Sequence, residues 1–160
     1  MLSWQHPKWS AGANLPGLTQ QRQHVLRSGV CDSQHAGAGL REDLRASEVA
    51  LVSSSDGGEL VRVIAGDVAG HAGPGSTYSP MTMVHATLSP GASLSLPWRP
   101  DYNALVYVLA GQGSVGTEGK AIGTGQLAVF GEGNTVTVAA APRQESRSPN
   151  LDVIVLGGRP

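Results

Sequence analysis

From Leu44 onward, short β-branched and aliphatic runs alternate with clusters of Gly, Pro, Asp and Asn, the texture of a turn-rich β protein. The runs predict strands at Val49–Ser53, Glu59–Ala65, Met81–Leu88, Ser93–Leu96, Ala104–Leu109, Gly113–Val115, Gln126–Phe130, Thr135–Ala139 and Asp152–Leu156. Thr135 and Thr137 alternate with Val136 and Val138, as they would on a strand with one wet and one buried face. Ser55-Asp56-Gly57-Gly58, Gly111-Gln112-Gly113 and Gly131-Glu132-Gly133-Asn134 supply residues tolerant of positive φ, and each predicts a hairpin between antiparallel neighbours. Closing such strands into a barrel removes exposed edges. Residues 1–43 are different: rich in Gln, Gly, Ser and Ala, with neither a two-residue nor a 3.6-residue apolar period, they predict a poorly ordered arm whose one helix candidate is Leu18–Leu26.

Composition narrows this to one domain. The chain has 160 residues, with 22 Gly, 10 Pro and 4% aromatics, enough for one ordinary core and rich in turn formers. A formal net charge of -1 offers no long-range attraction for nucleic acid or anionic lipid. Cys31 is the single cysteine, and no leader-like or membrane-spanning apolar stretch is present, so the expected location is a reducing cytoplasm.

Several patterns resemble chemistry and have simpler explanations. Gly111-Gln112-Gly113-Ser114-Val115-Gly116 fits G-x-G-x-x-G, but a dinucleotide site needs a helix to start in that loop, and Thr117-Glu118-Gly119-Lys120 leads into another strand. Gly119-Lys120 is followed by Ala121, so the phosphate-loop pattern fails as well. His24, Cys31 and His35 are donor types that zinc accepts, yet they lack a fourth ligand and a rigid frame. His6 lies in the same irregular segment, His71 in a Gly-rich loop and His85 on a strand, each readable as a satisfied surface or edge histidine. No G-x-S-x-G elbow appears, and no nucleophilic triad can be assembled from the sequence.

Val61-Arg62-Val63-Ile64-Ala65-Gly66, Gly73-Pro74, Ser79-Pro80 and Leu88-Ser89-Pro90-Gly91-Ala92 are followed by the block from Asn103 to Gly113, by Gly125 to Gly131, and by Leu156-Gly157-Gly158-Arg159-Pro160. In that order, over residues 44–160, they resemble the C-terminal half of the pirin family. The resemblance implies a fold: a single antiparallel cupin-type jelly-roll barrel at residues 44–160, preceded by residues 1–43, which do not match the family. Pirins are bicupins whose N-terminal barrel holds iron through three His and one Glu and is similar to quercetin 2,3-dioxygenase. Motifs for that first barrel are not found in residues 1–43, and the family chain runs past Gly-Gly-Arg-Pro; both features suggest a gene fragment whose first forty or so residues derive from an altered reading frame.

Counting the cupin pattern G-x5-H-x-H-x3-E from Gly91 places Pro97, Arg99 and Asn103 where the ligands would stand, and no His follows His85. Pro97 cannot ligate, and Arg99 would repel a cation, so no metal site and no cofactor are expected, iron belonging only to the first barrel. If Asn103 faces inward like the replaced Glu, Leu105, Tyr107 and Leu109 follow it by the two-residue period. Trp98, Arg99, Asn103 and Tyr107 then form a candidate polar pocket for a carboxylate or phenol, with a packed surface loop as the alternative. The functional expectation is a non-catalytic, metal-free binding or interaction module, paired with itself or with another protein. A quercetinase-like dioxygenase is the alternative that the missing ligands disfavour.

Overall fold

The two-residue alternation of β-branched side chains sets the architecture, because each strand that carries it can bury only one face. The computed structural model describes residues 10–11, 44–54, 56–144 and 148–160; the Leu18–Leu26 helix candidate and the His24, Cys31 and His35 trio lie outside them. Among the described residues there is no helix.

Thirteen strands follow in chain order. The first seven are β1 (Ser10–Ala11), β2 (Ala50–Ser53), β3 (Glu59–Ala65), β4 (Asp67–Val68), β5 (His71–Ala72), β6 (Met81–Leu88) and β7 (Ser93–Pro97). The rest are β8 (Asn103–Ala110), β9 (Gln112–Val115), β10 (Lys120–Gly123), β11 (Leu127–Phe130), β12 (Thr135–Ala140) and β13 (Leu151–Gly158).

All pairings between these strands are antiparallel. One sheet has seven strands in the order β1-β2-β3-β6-β13-β8-β11, a second has four in the order β10-β9-β12-β7, and β4-β5 form a small ribbon. The two larger sheets share one aliphatic core. Val52, Val61, Val84, Val106 and Val153 come from the first sheet, and Leu94, Leu96, Val115, Val136 and Val138 from the second.

The turns carry a correction. Gly57 does sit in a hairpin, between β2 and β3, with φ at 71°. The other two predicted hairpins are crossings between sheets. β8 lies in the seven-stranded sheet and β9 in the four-stranded one, so the chain changes sheets at Gly111, and the turn at residues 131–134 takes it from β11 to β12 in the same way. Positive φ is needed at Gly111, at 92°, because the backbone must turn a corner against Asn150 and Leu151. The G-x-G-x-x-G spacing is thus a corner at Gly111, a close approach of Gly113 to the Ala139 carbonyl, and the start of the β9–β10 hairpin at Gly116.

Candidate functional site

Inward-facing positions decide what the barrel can hold. On β8 these are Ala104, Val106 and Val108, whereas Asn103, Leu105, Tyr107 and Leu109 lie on the outer face. That reverses the expected parity. The expectation counted inward from a metal-ligand motif, but free energy is gained by burying the β-branched pair Val106 and Val108. β7 gives the same result: Leu94 and Leu96 are buried and Pro97 is exposed. Trp98 joins the core, 7% exposed, and Arg99 is outside.

The four residues expected to share a pocket are therefore divided. The Trp98 indole is buried, with Nε1–H donating to the Asn103 carbonyl at 3.4 Å. Its six-membered ring packs on the backbone of β13 at Gly157, where a Cβ would collide with it. Tyr107 is on the outer face opposite Leu127 and Ile154, separated by the thickness of the sheet from Trp98. The side chain of Asn103 shares that outer face.

Iron binding can be tested against the donor chemistry. The inward positions at this end of the barrel are Leu96, Trp98 and Ala104, none of which offers a lone pair suited to iron. Among the described residues no three His, Cys, Asp or Glu side chains come close enough together to hold a metal ion. The residues present do not fit a cupin iron centre. Around them the core is aliphatic: Val61, Val63, Val84, Val106, Val108, Val136, Val138, Val153 and Val155 are all buried.

Open space lies instead at the end of the barrel, between residues 66–82 and the 98–102 turn, in a cleft of about 550 Å³. Gly66, Gly73, Thr77, Met81, Thr82, Arg99 and Tyr102 contribute to its walls. Gly73 is required there because its Cα rests on the Ile64–Ala65 backbone, leaving no room for a side chain. Arg99 stacks its guanidinium 4.7 Å from the centre of the Tyr102 ring. Its Nε and Nη2 donate to Asp101 at 3.0 and 3.1 Å, and Arg159 Nε donates to the same carboxylate at 3.0 Å. The hydrogen bond from Arg99, reinforced by Arg159, holds the Asp101 carboxyl down at about 2. Asp101 in turn raises Arg99 above its ordinary value.

A second polar group lies on the outer face of the seven-stranded sheet. His85 contacts Arg62 Nη1 through Nδ1 at 3.3 Å and Asp152 through Nε2 at 3.7 Å, and Thr87 Oγ1 donates to Asp152 at 2.7 Å. Burial first, and then Arg62, push the His85 imidazole below its usual value, against the opposing pull of Asp152. His85 is a strand histidine with partners, as its position on the chain suggested.

Of the cleft residues only Arg99 was singled out from the sequence. Thr82 had a signal: it is the one hydroxyl in the inward series Thr82, Val84, Ala86, Leu88. Tyr102 had none, since the Pro100-Asp101 turn before it hides its parity.

With that geometry in hand, the comparison with known families is specific. Residues 83–160 match the pirin C-terminal cupin domain family. A pirin-like protein of Caulobacter vibrioides is 35% identical over 105 residues, which are 66% of this chain and 33% of that protein. The chain thus spans about a third of the length of this pirin-like relative. Among solved structures, a quercetin 2,3-dioxygenase of Acinetobacter baumannii superposes with a TM-score of 0.68 at 24% identity, covering 78% of this chain and 41% of the enzyme. A protein of Geobacillus kaustophilus gives 0.61 at 23% identity, covering 74% and 46%. At these identities the superpositions establish the cupin fold and nothing of the chemistry. The pirin match begins at Met83, inside β6, while β2 and β3 continue the same sheet on the N-terminal side. Among the described residues no helix is long and apolar enough to cross a membrane.

Proposed function

We propose that this pirin-type cupin domain is a non-catalytic, metal-free binding module. One observation carries the reading: where a metal cupin would converge imidazole and carboxylate donors, the inward positions are Leu96, Trp98 and Ala104, and the buried side chains around them are mostly valine. A dioxygenase needs a redox metal held by several donor side chains, and the aliphatic inward positions offer none. The solved quercetin 2,3-dioxygenase is similar to this chain as a fold, and a fold carries no activity by itself.

The module's contact surface is the outer face of the seven-stranded sheet. Leu105, Tyr107 and Leu109 on β8 lie beside Leu127 and Val129 on β11 and Ile154 and Leu156 on β13. Val129 is 74% exposed and Leu127 56%. Tyr107 and Leu109 are exposed beside them, so the large apolar side chains in solvent here are contiguous and not scattered singly. The occupant is a second copy of the chain: an apolar centre is complementary to itself under a two-fold axis, and the rim carries both signs, Arg62 and Asp152. The same reading places the protein in a reducing cytoplasm, without nucleic-acid or membrane partners, on its single Cys31 and net charge of -1.

The test is flavonol turnover by the full chain after anaerobic addition of ferrous iron, followed by air. Quercetin absorbance is expected to decay no faster than with iron alone. Decay that scales with protein concentration would restore the dioxygenase reading.

A further inference from the structure

Two hydroxyl side chains of the cleft at the barrel end are more than nine-tenths buried, Thr82 at 4% and Tyr102 at 8% exposure. Among the described residues neither hydroxyl has a hydrogen-bond partner in the protein, yet no side-chain oxygen there is both sealed from solvent and unpaired. Both oxygens must therefore reach open space, and the space these residues line is the cleft. The direction of Thr82 agrees: its Oγ1 lies against Gly66, itself part of the cleft wall. A hydroxyl that opens on the cleft has water as its partner there, and a ligand group that takes that water's place keeps the hydrogen bond.

The charge at the rim selects the kind of ligand. Arg99 and Arg159 share the one carboxylate of Asp101, leaving an excess of one positive charge in that cluster. Asp101 engages Nε and Nη2 of Arg99, so the Nη1 hydrogens are available. Asp101 and Arg159 lie beside the cleft; the one carboxylate among the residues that line it is Asp67, which accepts from Gly70 N on its own turn at 3.3 Å. Pro80 and Met81 add apolar wall, and the volume of about 550 Å³ is within the range of small-molecule sites.

We propose that this cleft binds a small organic carboxylate, its charged end at Arg99 and its hydroxyl or carbonyl groups meeting Thr82 and Tyr102. The site is separate from the outer sheet face and stands or falls independently of self-association.

Sodium benzoate is the probe, with benzamide as its neutral counterpart, titrated into the full isotope-labelled chain and followed by amide NMR. Benzoate is expected to produce saturable shifts at Gly66, Gly73, Thr82 and Tyr102, with benzamide about tenfold weaker or more. Arg99→Met is expected to weaken benzoate by about tenfold, and Thr82→Val, which preserves shape and dispersion, by several-fold. Equal binding of benzoate and benzamide, shifts confined to other parts of the fold, no saturation with a well-dispersed spectrum, or an unchanged affinity in both variants would each overturn the site.

Discussion

Gly157 is placed where the Trp98 indole crosses β13, and a Cβ added there would run into both that ring and the Asn103 carbonyl. Since backbone and a buried aromatic ring yield little, Gly157→Ala is expected to cost about 2 kcal/mol or more, measured by chemical denaturation. Glu59 behaves in the opposite sense. It is buried at the start of β3, where desolvation first, and then Asp56, raise its carboxyl above the ordinary value. In the unfolded chain it ionises near 4.5, so as pH rises through the window between that value and the higher folded one, folding loses stability. Glu59→Gln is therefore expected to stabilise the fold at pH 7, by less than about 1 kcal/mol given partial solvation and read as a higher melting temperature, and to have little effect near pH 4. A larger gain at pH 4 than at pH 7 would refute that sign.

The parity of β8 is a claim about an element. Val106→Ala and Val108→Ala are expected to destabilise by about 1–3 kcal/mol each, since both side chains are fully buried, whereas Asn103→Ala on the outer face should change stability by less than about 0.5 kcal/mol. This strand also shows what was legible in the sequence. Its bounds were read nearly to the residue, as were those of β3 and β6, because alternating β-branched residues bounded by turn formers allow little else. Which face turned inward was not legible, since aliphatic residues occupy both faces: Leu105, Tyr107 and Leu109 outside, Ala104, Val106 and Val108 inside. Pinning that choice to the G-x5 count from Gly91 set the expected inward positions one residue out of step, so Pro97, Arg99 and Asn103 were assigned an interior that belongs to Leu96, Trp98 and Ala104. The two-residue strands β4 and β5 escaped notice because two residues carry no period. Hairpins and sheet crossings use the same glycines, which is why Gly111 was assigned the wrong kind of turn. The cleft was invisible for a related reason: Thr82, Arg99 and Tyr102 meet only when β6 and the 98–102 turn converge at one barrel end.

At the scale of the whole molecule, the outer face and the aliphatic interior make separate predictions. Light scattering of the full chain is expected to give a dimer, and Leu127→Glu with Val129→Glu a folded monomer, since two charges on an apolar interface cost more than pairing returns. A monomer for the parent chain at high concentration would remove the second copy and leave that face to another protein. The claim on which the functional reading depends is the absence of a metal site, and elemental analysis of purified, folded protein after reconstitution with ferrous iron tests it most directly. The account predicts a metal-to-protein ratio near zero with strand content unchanged; a ratio near one, removed by a chelator, would contradict it.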